Sequence, residues 1–454
     1  MVNIKLTGAS LQKVSEFLSH LGNPQDKISN IIHIAGTNGK GSTLSFIRYI
    51  LQAAGFSVNT FTSPHLVNYR ERIRLNGAII SEEYLKTIRA TLRKIPGYKD
   101  LGYFAEATVI SFVAFNTYPA DYCILETGLG GRKDPTNIIN YPILNVFTTI
   151  DYDHQELLGS TLKQIAWEKA GIIKNSAILV SDYQKDAVAE ELKECSIQNG
   201  KKLIIGGKDY KIIKDPNELT LKIQKYNNLA DQTIIKLNDI ANNIGLLGEH
   251  QINNASLAVV ALSQVVDISL QNIKEGISNT RWQGRLQEVE ALYGINFLEE
   301  QNLTKVFLDG AHNPSGALVL KNFIINYIKK KAIKEVYLIM GMLRRKNLKE
   351  FLRNLQDIES LSTSKFSIYP VKIQDDEAFS LEEILNTMQN LNMLHLAQDF
   401  MQSKLQSNKE ITYQVILPNY LQKIINNSDK SKLILICGSL YLLGDIMKDN
   451  DLIP

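Results

Sequence analysis

The run Ile31-Ile32-His33-Ile34-Ala35-Gly36-Thr37-Asn38-Gly39-Lys40-Gly41-Ser42 decides the fold class. Its first five residues make a short apolar run of the kind buried in a parallel sheet. Glycines at 36, 39 and 41 follow, with a lysine and a hydroxyl among them, and Ser42–Ala54 reads as a helix. Strand, glycine loop and helix is the setting in which backbone N–H groups close on phosphate oxygens, aided by the positive end of the helix dipole. Glycine permits that approach because it has no Cβ. Lys40 suits the β- and γ-phosphates of a nucleotide, and Ser42 offers a hydroxyl to Mg²⁺. The spacing is a variant of GxxxxGK followed directly by Ser or Thr: Gly41 separates Lys40 from Ser42, and position 34 is Ile. A ligand-free glycine turn is the competing reading, and it accounts for fewer of these residues.

Outward from this loop, short apolar runs alternate with amphipathic stretches. Ile31–Ala35, Tyr122–Leu125, Ile143–Thr149 and Ile178–Ser181 read as buried strands, and Ser57–Asn59 is strand-like. Ser42–Ala54, Ser81–Lys94, Thr108–Thr117, Asp186–Asn199 and Asn254–Val266 read as helices. Between Lys201 and Asp239 the pattern breaks into alternating pieces such as Leu219–Ile223, as in an antiparallel sheet. After Arg285 a second series begins, with strands at Lys305–Leu308, Val336–Met340 and Lys432–Cys437 and a helix at Ala317–Lys329. The expected fold class is α/β: a P-loop-type, mostly parallel sheet with helices on both faces plus a small accessory antiparallel sheet, followed by a smaller Rossmann-like α/β C-terminal domain. The expected domains are 1–284 and 285–454.

Composition narrows the function classes. Across 454 residues, 50 Lys and Arg stand against 47 Asp and Glu, a net charge of +3. That balance gives no reason to expect nucleic acid or an anionic membrane as partner. No apolar stretch approaches the ~20 residues that span a bilayer. Cys123, Cys195 and Cys437 are far apart and odd in number, so no disulfide framework is expected. Met1-Val2-Asn3-Ile4-Lys5 does not resemble the start of a signal peptide, and a cytoplasmic protein is expected. The basic run Lys329-Lys330-Lys331 reads as a solvated helix end.

In doubly wound sheets, ligands lie beyond the carboxyl ends of the strands. Tyr122–Leu125 leads there into Glu126-Thr127-Gly128-Leu129-Gly130-Gly131-Arg132, where Glu126 takes the place of a Mg²⁺-holding acid. Ile143–Ile150 leads into Asp151-Tyr152-Asp153-His154, and a histidine beside an acid can be a metal ligand, a base or part of a helix cap. Taken alone, the structural role fits it best. Thr62-Ser63-Pro64-His65 presents Ser63 from a neighbouring strand end. Lys169, in Trp167–Ile172, is a single helical lysine that spacing alone does not distinguish. The amides of Gly248–Ala255 open a helix and can cap it or meet a base or ribose. In the second domain, Asp309-Gly310-Ala311-His312-Asn313-Pro314 repeats the strand, turn and helix pattern, and a ligand held between the two domains is expected.

Together these motifs resemble the Mur-ligase superfamily and, within it, the folylpolyglutamate synthases that are often bifunctional with dihydrofolate synthase. The resemblance runs over most of the chain. It includes Leu21–Pro24, GTNGKGS at Gly36–Ser42, TSPHL at Thr62–Leu66 with Arg70–Ile73, EAT at Glu106–Thr108 and ETGLGGR at Glu126–Arg132. It continues through Asp153-His154, EKAGI at Glu168–Ile172, HQxxNA at His250–Ala255, Gly284-Arg285, DGAHN at Asp309–Asn313 and GSLYLLGD at Gly438–Asp445.

The resemblance implies an ATP-dependent carboxylate–amine ligase with two Mg²⁺ sites, the first held by Ser42 and Glu126, the second by Ser63, Glu126 and His154. It implies an N-carboxylated Lys169 supporting the second metal, with Lys40, Lys169 and His154 in catalysis. Thr37, Asn38, Gly39, Lys40, Gly41, Ser42, Asn254, Arg285, Asp309 and His312 would contact ATP. Pro64, His65, Arg70 and Arg132 would line the substrate path. The substrates implied are L-glutamate and a folate or dihydropteroate, and a monomer is expected.

Two departures stand out. The family often has Asp-Lys-Asp after its GML turn, where this chain has Arg344-Arg345-Lys346-Asn347. GRLDATN becomes Gly131-Arg132-Lys133-Asp134-Pro135-Thr136-Asn137. The rival readings are a murein-type ligase or another Mur-family ligase acting on a non-folate acid, a nucleotide-binding regulator without chemistry, and a simple ATPase or kinase. Murein ligases carry a UDP-sugar domain ahead of the loop, and only 35 residues precede Gly36 here.

Overall fold

The computed structural model describes residues 10–174, 177–215, 218–223, 233–236, 243–297, 304–397, 413–426 and 431–452. Met1–Lys5 and parts of Lys201–Asp239 lie outside them. The chain divides into two compact units: Met1–Gly245 with His250–Arg281, and Leu246–Glu249 with Trp282–Pro454.

The strands of the first unit's main sheet are β1 (Ile31–Ala35), β2 (Val58–Phe61), β3 (Ile73–Leu75), β4 (Ala78–Ile79), β5 (Tyr122–Glu126), β6 (Leu144–Phe147), β7 (Ile178–Ser181) and β8 (Leu203–Ile205). Their order is β4-β3-β2-β5-β1-β6-β7-β8. From β2 to β8 every neighbouring pair is parallel, and β3 and β4 add an antiparallel edge. Residues on β1 and β5 are buried throughout, as unbroken apolar runs in a doubly covered parallel sheet should be. His33 is the polar exception within β1. One apolar cluster joins Ile31, Phe61, Cys123 and Leu125 to Val14, Leu85 and Phe112 of three helices. A second joins Ala35, Phe147 and Leu179 to helices Leu162–Ala170 and Asp186–Gln198. The accessory sheet is antiparallel, in the order β11 (Thr233–Lys236), β10 (Glu218–Ile223), β9 (Tyr210–Asp215).

Four helices begin earlier than the sequence pattern indicates, two of them by only two or three residues, at Lys40 and Pro314. The helix expected at Thr108 starts at Tyr103. Its cap is Gly102, which has no side chain to bond the first N–H groups, so no capping residue marks the start. The helix expected at Asn254 starts at His250, which puts Asn254 inside the helix rather than at its cap.

The second unit holds a five-stranded sheet in the order β12 (Gln287–Val289), β15 (Thr304–Leu308), β18 (Lys432–Cys437), β16 (Glu335–Met340), β17 (Lys365–Pro370). It is parallel except for β12, and β13 (Ala291–Leu292) pairs with β14 (Ile295–Asn296) as a separate ribbon. Helix Pro314–Lys331 follows β15, with Pro314 at its first position and Asn313 Oδ1 accepting from Gly316 N at 2.8 Å. Lys329, Lys330 and Lys331 are exposed in its last turn, where cations suit the dipole. All three cysteines are buried and free. Among the described residues, no helix is long and apolar enough to cross a membrane.

Candidate phosphate and metal site

The loop after β1 is fastened to the end of β6. Thr37 N and Asn38 N both donate to Thr149 O, at 2.9 and 3.2 Å. Thr37 Oγ1 donates to Asp151 O and accepts from Asp151 N, each at 3.0 Å. Gly36 is required by space: a Cβ there would lie 1.8 Å from Thr148 Oγ1. Gly39 is required twice over, by its φ of +85° and by Asn254 Oδ1, which would stand 2.5 Å from a Cβ. The first unit therefore brings Thr37, Asn38, Gly39, Lys40, Gly41, Ser42 and Asn254 together at the start of helix Lys40–Ala53. Asn254 is buried, and its Nδ2 donates to Gln251 Oε1 at 2.9 Å.

Two lysines converge on this loop. Lys40 Nζ donates to Gly36 O at 3.1 Å and to Thr37 O at 3.3 Å. Lys169 Nζ, from helix Leu162–Ala170, donates to the same Gly36 O at 2.8 Å. Lys169 is buried, and burial, with the Lys40 charge beside it, lowers its pKa to about 7 against a weaker upward pull from Asp153 and Asp134. The sequence alone made Lys169 an ordinary surface lysine. Its end of the helix is held against the Gly128–Arg132 loop by Gly171, where a Cβ would lie 2.4 Å from Arg132 Cα.

Glu126, at the carboxyl end of β5, is buried, and its Oε2 accepts from Ser63 N at 3.1 Å. The strand ends of β2 and β5 thus bring Ser63 and Glu126 together. His154 has a left-handed backbone, φ 50°, and its ring lies 3.9 Å from Asp153 Oδ1 and 3.7 Å from Glu156 Oε1. Ser42 is buried in the first turn of the helix that follows the loop. Hydroxyl and carboxylate oxygens at a phosphate loop fit Mg²⁺, which takes few protein ligands and keeps waters and substrate phosphate oxygens. No group of three or more His, Cys, Asp and Glu gathers among the described residues.

The remaining first-unit residues line the neighbouring surface. His65 Nδ1 accepts from Arg72 Nε at 2.8 Å, and burial together with Arg72 lowers its pKa to about 4. Pro64 follows a cis peptide bond from Ser63, and Arg70 Nη1 reaches Ile80 O at 3.4 Å. Arg132 stacks on the Trp167 ring, 3.6 Å from its centroid, and donates to Trp167 O at 3.1 Å. Two carboxylates that sequence reasoning missed hold these loops. Glu71 accepts from the backbone N–H groups of Leu66, Val67 and Asn68. Asp134 accepts from Gly128 N and Leu129 N at 2.9 Å each, and from Thr136. The Asp134-Pro135 dipeptide was the available signal for the second, as a turn initiator.

In the second unit, Asp309 directly follows β15. Its oxygens accept from Leu286 N and Ala311 N at 2.8 Å each, and burial raises its pKa against the lowering effect of Arg285. Arg285 Nη1 donates to Gly284 O at 2.9 Å, and His312 Nδ1 lies 2.7 Å from Gly310 O. Arg285, Asp309 and His312 thus gather around one turn.

Residues 34–262 match the family model described as Mur ligase middle domain, and residues 294–449 match dihydrofolate synthetase, C-terminal domain. The chain is 29% identical over 457 residues to the dihydrofolate synthase/folylpolyglutamate synthase of Bacillus subtilis, covering 96% of this chain and 94% of the relative. It is 30% identical over 449 residues to a probable dihydrofolate synthetase of Schizosaccharomyces pombe, covering 96% and 97%. A bifunctional folylpolyglutamate synthase/dihydrofolate synthase solved with Mn, AMPPNP and L-glutamate superposes with a TM-score of 0.75 at 25% identity, covering 97% of this chain and 93% of that one. Family models, full-length relatives and fold agree with the strand-end motifs, and the chain belongs to the folylpolyglutamate synthase/dihydrofolate synthase ligases of the Mur ligase superfamily.

Proposed function

We propose that this chain joins L-glutamate to the carboxylate of a folate, with ATP and Mg²⁺, and that it also makes dihydrofolate from dihydropteroate. The observation that carries the reading is the pair of lysines on Gly36 O, set on a glycine loop beside the Glu126–Ser63 contact. Such a loop serves phosphoryl transfer, which demands positioning and neutralisation of charge more than covalent chemistry. The full-length relatives and the ligands of the solved bifunctional enzyme supply the substrate class.

Amide formation needs a leaving group better than hydroxide. Transfer of the γ-phosphoryl group to the substrate carboxylate provides one, as an acyl phosphate. The glutamate amine then attacks and phosphate leaves. We assign Thr37–Ser42, Asn254, Arg285, Asp309 and His312 to ATP. The loop amides and Lys40 hold the phosphates. Ser42 and Glu126 are assigned to one Mg²⁺, and Ser63, Glu126 and His154 to a second; the metals supply charge neutralisation at the transferring group. Pro64, His65, Arg70 and Arg132 are assigned to the folate side. The His65 ring, neutral and accepting from Arg72, leaves Nε2–H as its donor.

Lys169 is assigned a carboxylate on Nζ. Carbamate formation consumes the neutral amine, and a pKa near 7 makes that form abundant at neutral pH. The modification would also replace a like-charge contact with Lys40 by an opposite-charge one. A bare ammonium in a high-resolution map of active, bicarbonate-supplied enzyme would overturn this assignment. The domain assignment is 1–284 for ATP and folate and 285–454 for the C-terminal-type domain, acting as a cytoplasmic monomer.

The test is a purified-enzyme assay with ATP, Mg²⁺ and L-glutamate, offered tetrahydrofolate and dihydropteroate separately, with products read by mass. Both should gain a glutamate. Activity on tetrahydrofolate alone would remove the bifunctional half. Activity on neither, with a non-pterin acid accepted, would remove the folate assignment and leave the ligase chemistry.

A further inference from the structure

His33 is the one polar side chain on β1, and it is fully buried at the centre of the sheet, between Leu125 of β5 and Asn145 of β6. Its Nε2 lies 2.8 Å from Thr136 Oγ1, a residue 103 positions away in sequence. Thr136 Oγ1 lies 2.6 Å from Asp134 Oδ1. Asp134 Oδ2 accepts from Gly128 N and Leu129 N, the turn that follows Glu126. His33, Thr136 and Asp134 are all buried.

The proton order in this chain follows from chemistry. A hydroxyl has one proton, and the carboxylate, already accepting backbone N–H groups, takes it. The lone pairs of Thr136 Oγ1 therefore face His33, which must be protonated at Nε2. Burial, with a smaller contribution from Lys174, keeps the imidazole neutral, its pKa lowered to about 3. One fixed tautomer thus points a donor out of the central strand, and donation runs from His33 to Thr136 to Asp134, whose carboxylate also accepts from the N–H groups of the turn. On its other side that turn meets the Phe104 ring, which a Cβ at Gly128 would approach to 2.5 Å.

We propose that His33 and Thr136 are positioning residues that fix the Gly128–Leu129 turn through Asp134, tying the strand that carries the phosphate loop to the loop that borders the folate. The second half of that statement rests on the function proposed above. His33 Nδ1 has no partner among the described residues, so the Nε2–H bond to Thr136 is the imidazole's one tie to the turn, and loss of that hydroxyl should free the turn.

The test uses the full chain and the variants T136V and T136S. Valine keeps the shape of threonine without the hydroxyl, and serine keeps the hydroxyl. Hydrogen exchange of peptides spanning 126–132, in ligand-free protein, should be about tenfold faster in T136V and wild-type-like in T136S. KM for tetrahydrofolate should rise in T136V with KM for ATP unchanged, and T136S should restore it. The H33Q and H33L pair repeats the test from the strand end, glutamine keeping an N–H donor and leucine losing it. Wild-type exchange in both T136V and H33L would overturn the relay, as would T136S behaving like T136V. Faster exchange with an unchanged KM for tetrahydrofolate would uphold the relay and overturn the folate assignment of the loop.

Discussion

Replacing Lys169 by methionine should stabilise the metal-free, bicarbonate-free protein at neutral pH while abolishing its activity. Lys169 is 4% exposed, and its pKa falls from 10.5 to about 7 on folding. A gap of about 3.5 pH units at about 1.36 kcal/mol each amounts to roughly 5 kcal/mol against folding when the amine is charged. The unfolded chain binds more protons than the folded one between pH 7 and 10.5, so wild-type stability should rise across that window. Below pH 7 the full cost applies. Methionine has nearly the same length and no charge. It forfeits the hydrogen bond to Gly36 O, for which about 2 kcal/mol is a fair allowance. Near pH 7 the variant should therefore be more stable by roughly 2–3 kcal/mol, and the difference should vanish or reverse by pH 10.

Urea unfolding of both proteins from pH 6 to 10, in carbonate-free buffer with chelator, measures this directly. Parallel stability profiles would refute the reasoning, because they would mean that Lys169 titrates alike in the folded and unfolded chains. Added bicarbonate and Mg²⁺ give a second contrast. A ligand that binds only the folded state adds stability by mass action, so the wild type should gain stability and Lys169→Met should gain less.

Lys40→Ala, Ser42→Ala and Glu126→Ala should each cost at least ~3 kcal/mol of transition-state stabilisation with the fold retained, read as kcat/KM at saturating ATP and Mg²⁺. Gly36→Ala should destabilise by about 1–3 kcal/mol, since the new Cβ meets Thr148 Oγ1 at 1.8 Å, and should weaken ATP binding measured by calorimetry. Gly200→Ala makes the control: its φ of +62° carries a cost of about 1 kcal/mol, but no atom lies within 4 Å and ATP binding should be unchanged. Gly171→Ala should lower activity more than Gly200→Ala, because its Cβ meets Arg132 backbone at 2.4 Å and must shift either the Gly128–Arg132 loop or the Lys169 helix.

The parallel sheet was legible because β1, β5 and β7 are short apolar runs that lead into Gly36, Glu126 and Asp182, and β1 and β7 begin and end where the hydrophobic pattern does. The phosphate loop was legible for the same local reason: glycine, lysine and hydroxyl follow one strand within a few positions. Helix starts were less so wherever a glycine replaced a capping side chain, as at Gly102. Strand β17, Lys365–Pro370, went unread because Lys-Phe-Ser-Ile-Tyr-Pro ends in a proline and carries polar residues, and its burial comes from neighbours supplied by other segments.

What sequence pattern cannot express is which charged side chains face inward. Lys169, Glu71 and Asp134 look like ordinary surface charges. Each is a tertiary device: Lys169 ends on a carbonyl 133 residues away, while the two acids collect backbone N–H groups that their own loops leave without partners. The like-charge contact of Lys40 and Lys169 on Gly36 O makes the point sharpest. Lys169 is not unusual in its own segment, and it is the pairing of β1 with β6 that brings its helix to the strand end carrying Lys40. Burial, with the Lys40 charge beside it, disfavours the ammonium form of Lys169. The chemistry of Lys169 is thus a property of the sheet topology acting on an ordinary residue. Moving its helix by a few ångströms would return it to a common lysine without changing a single ligand of the loop.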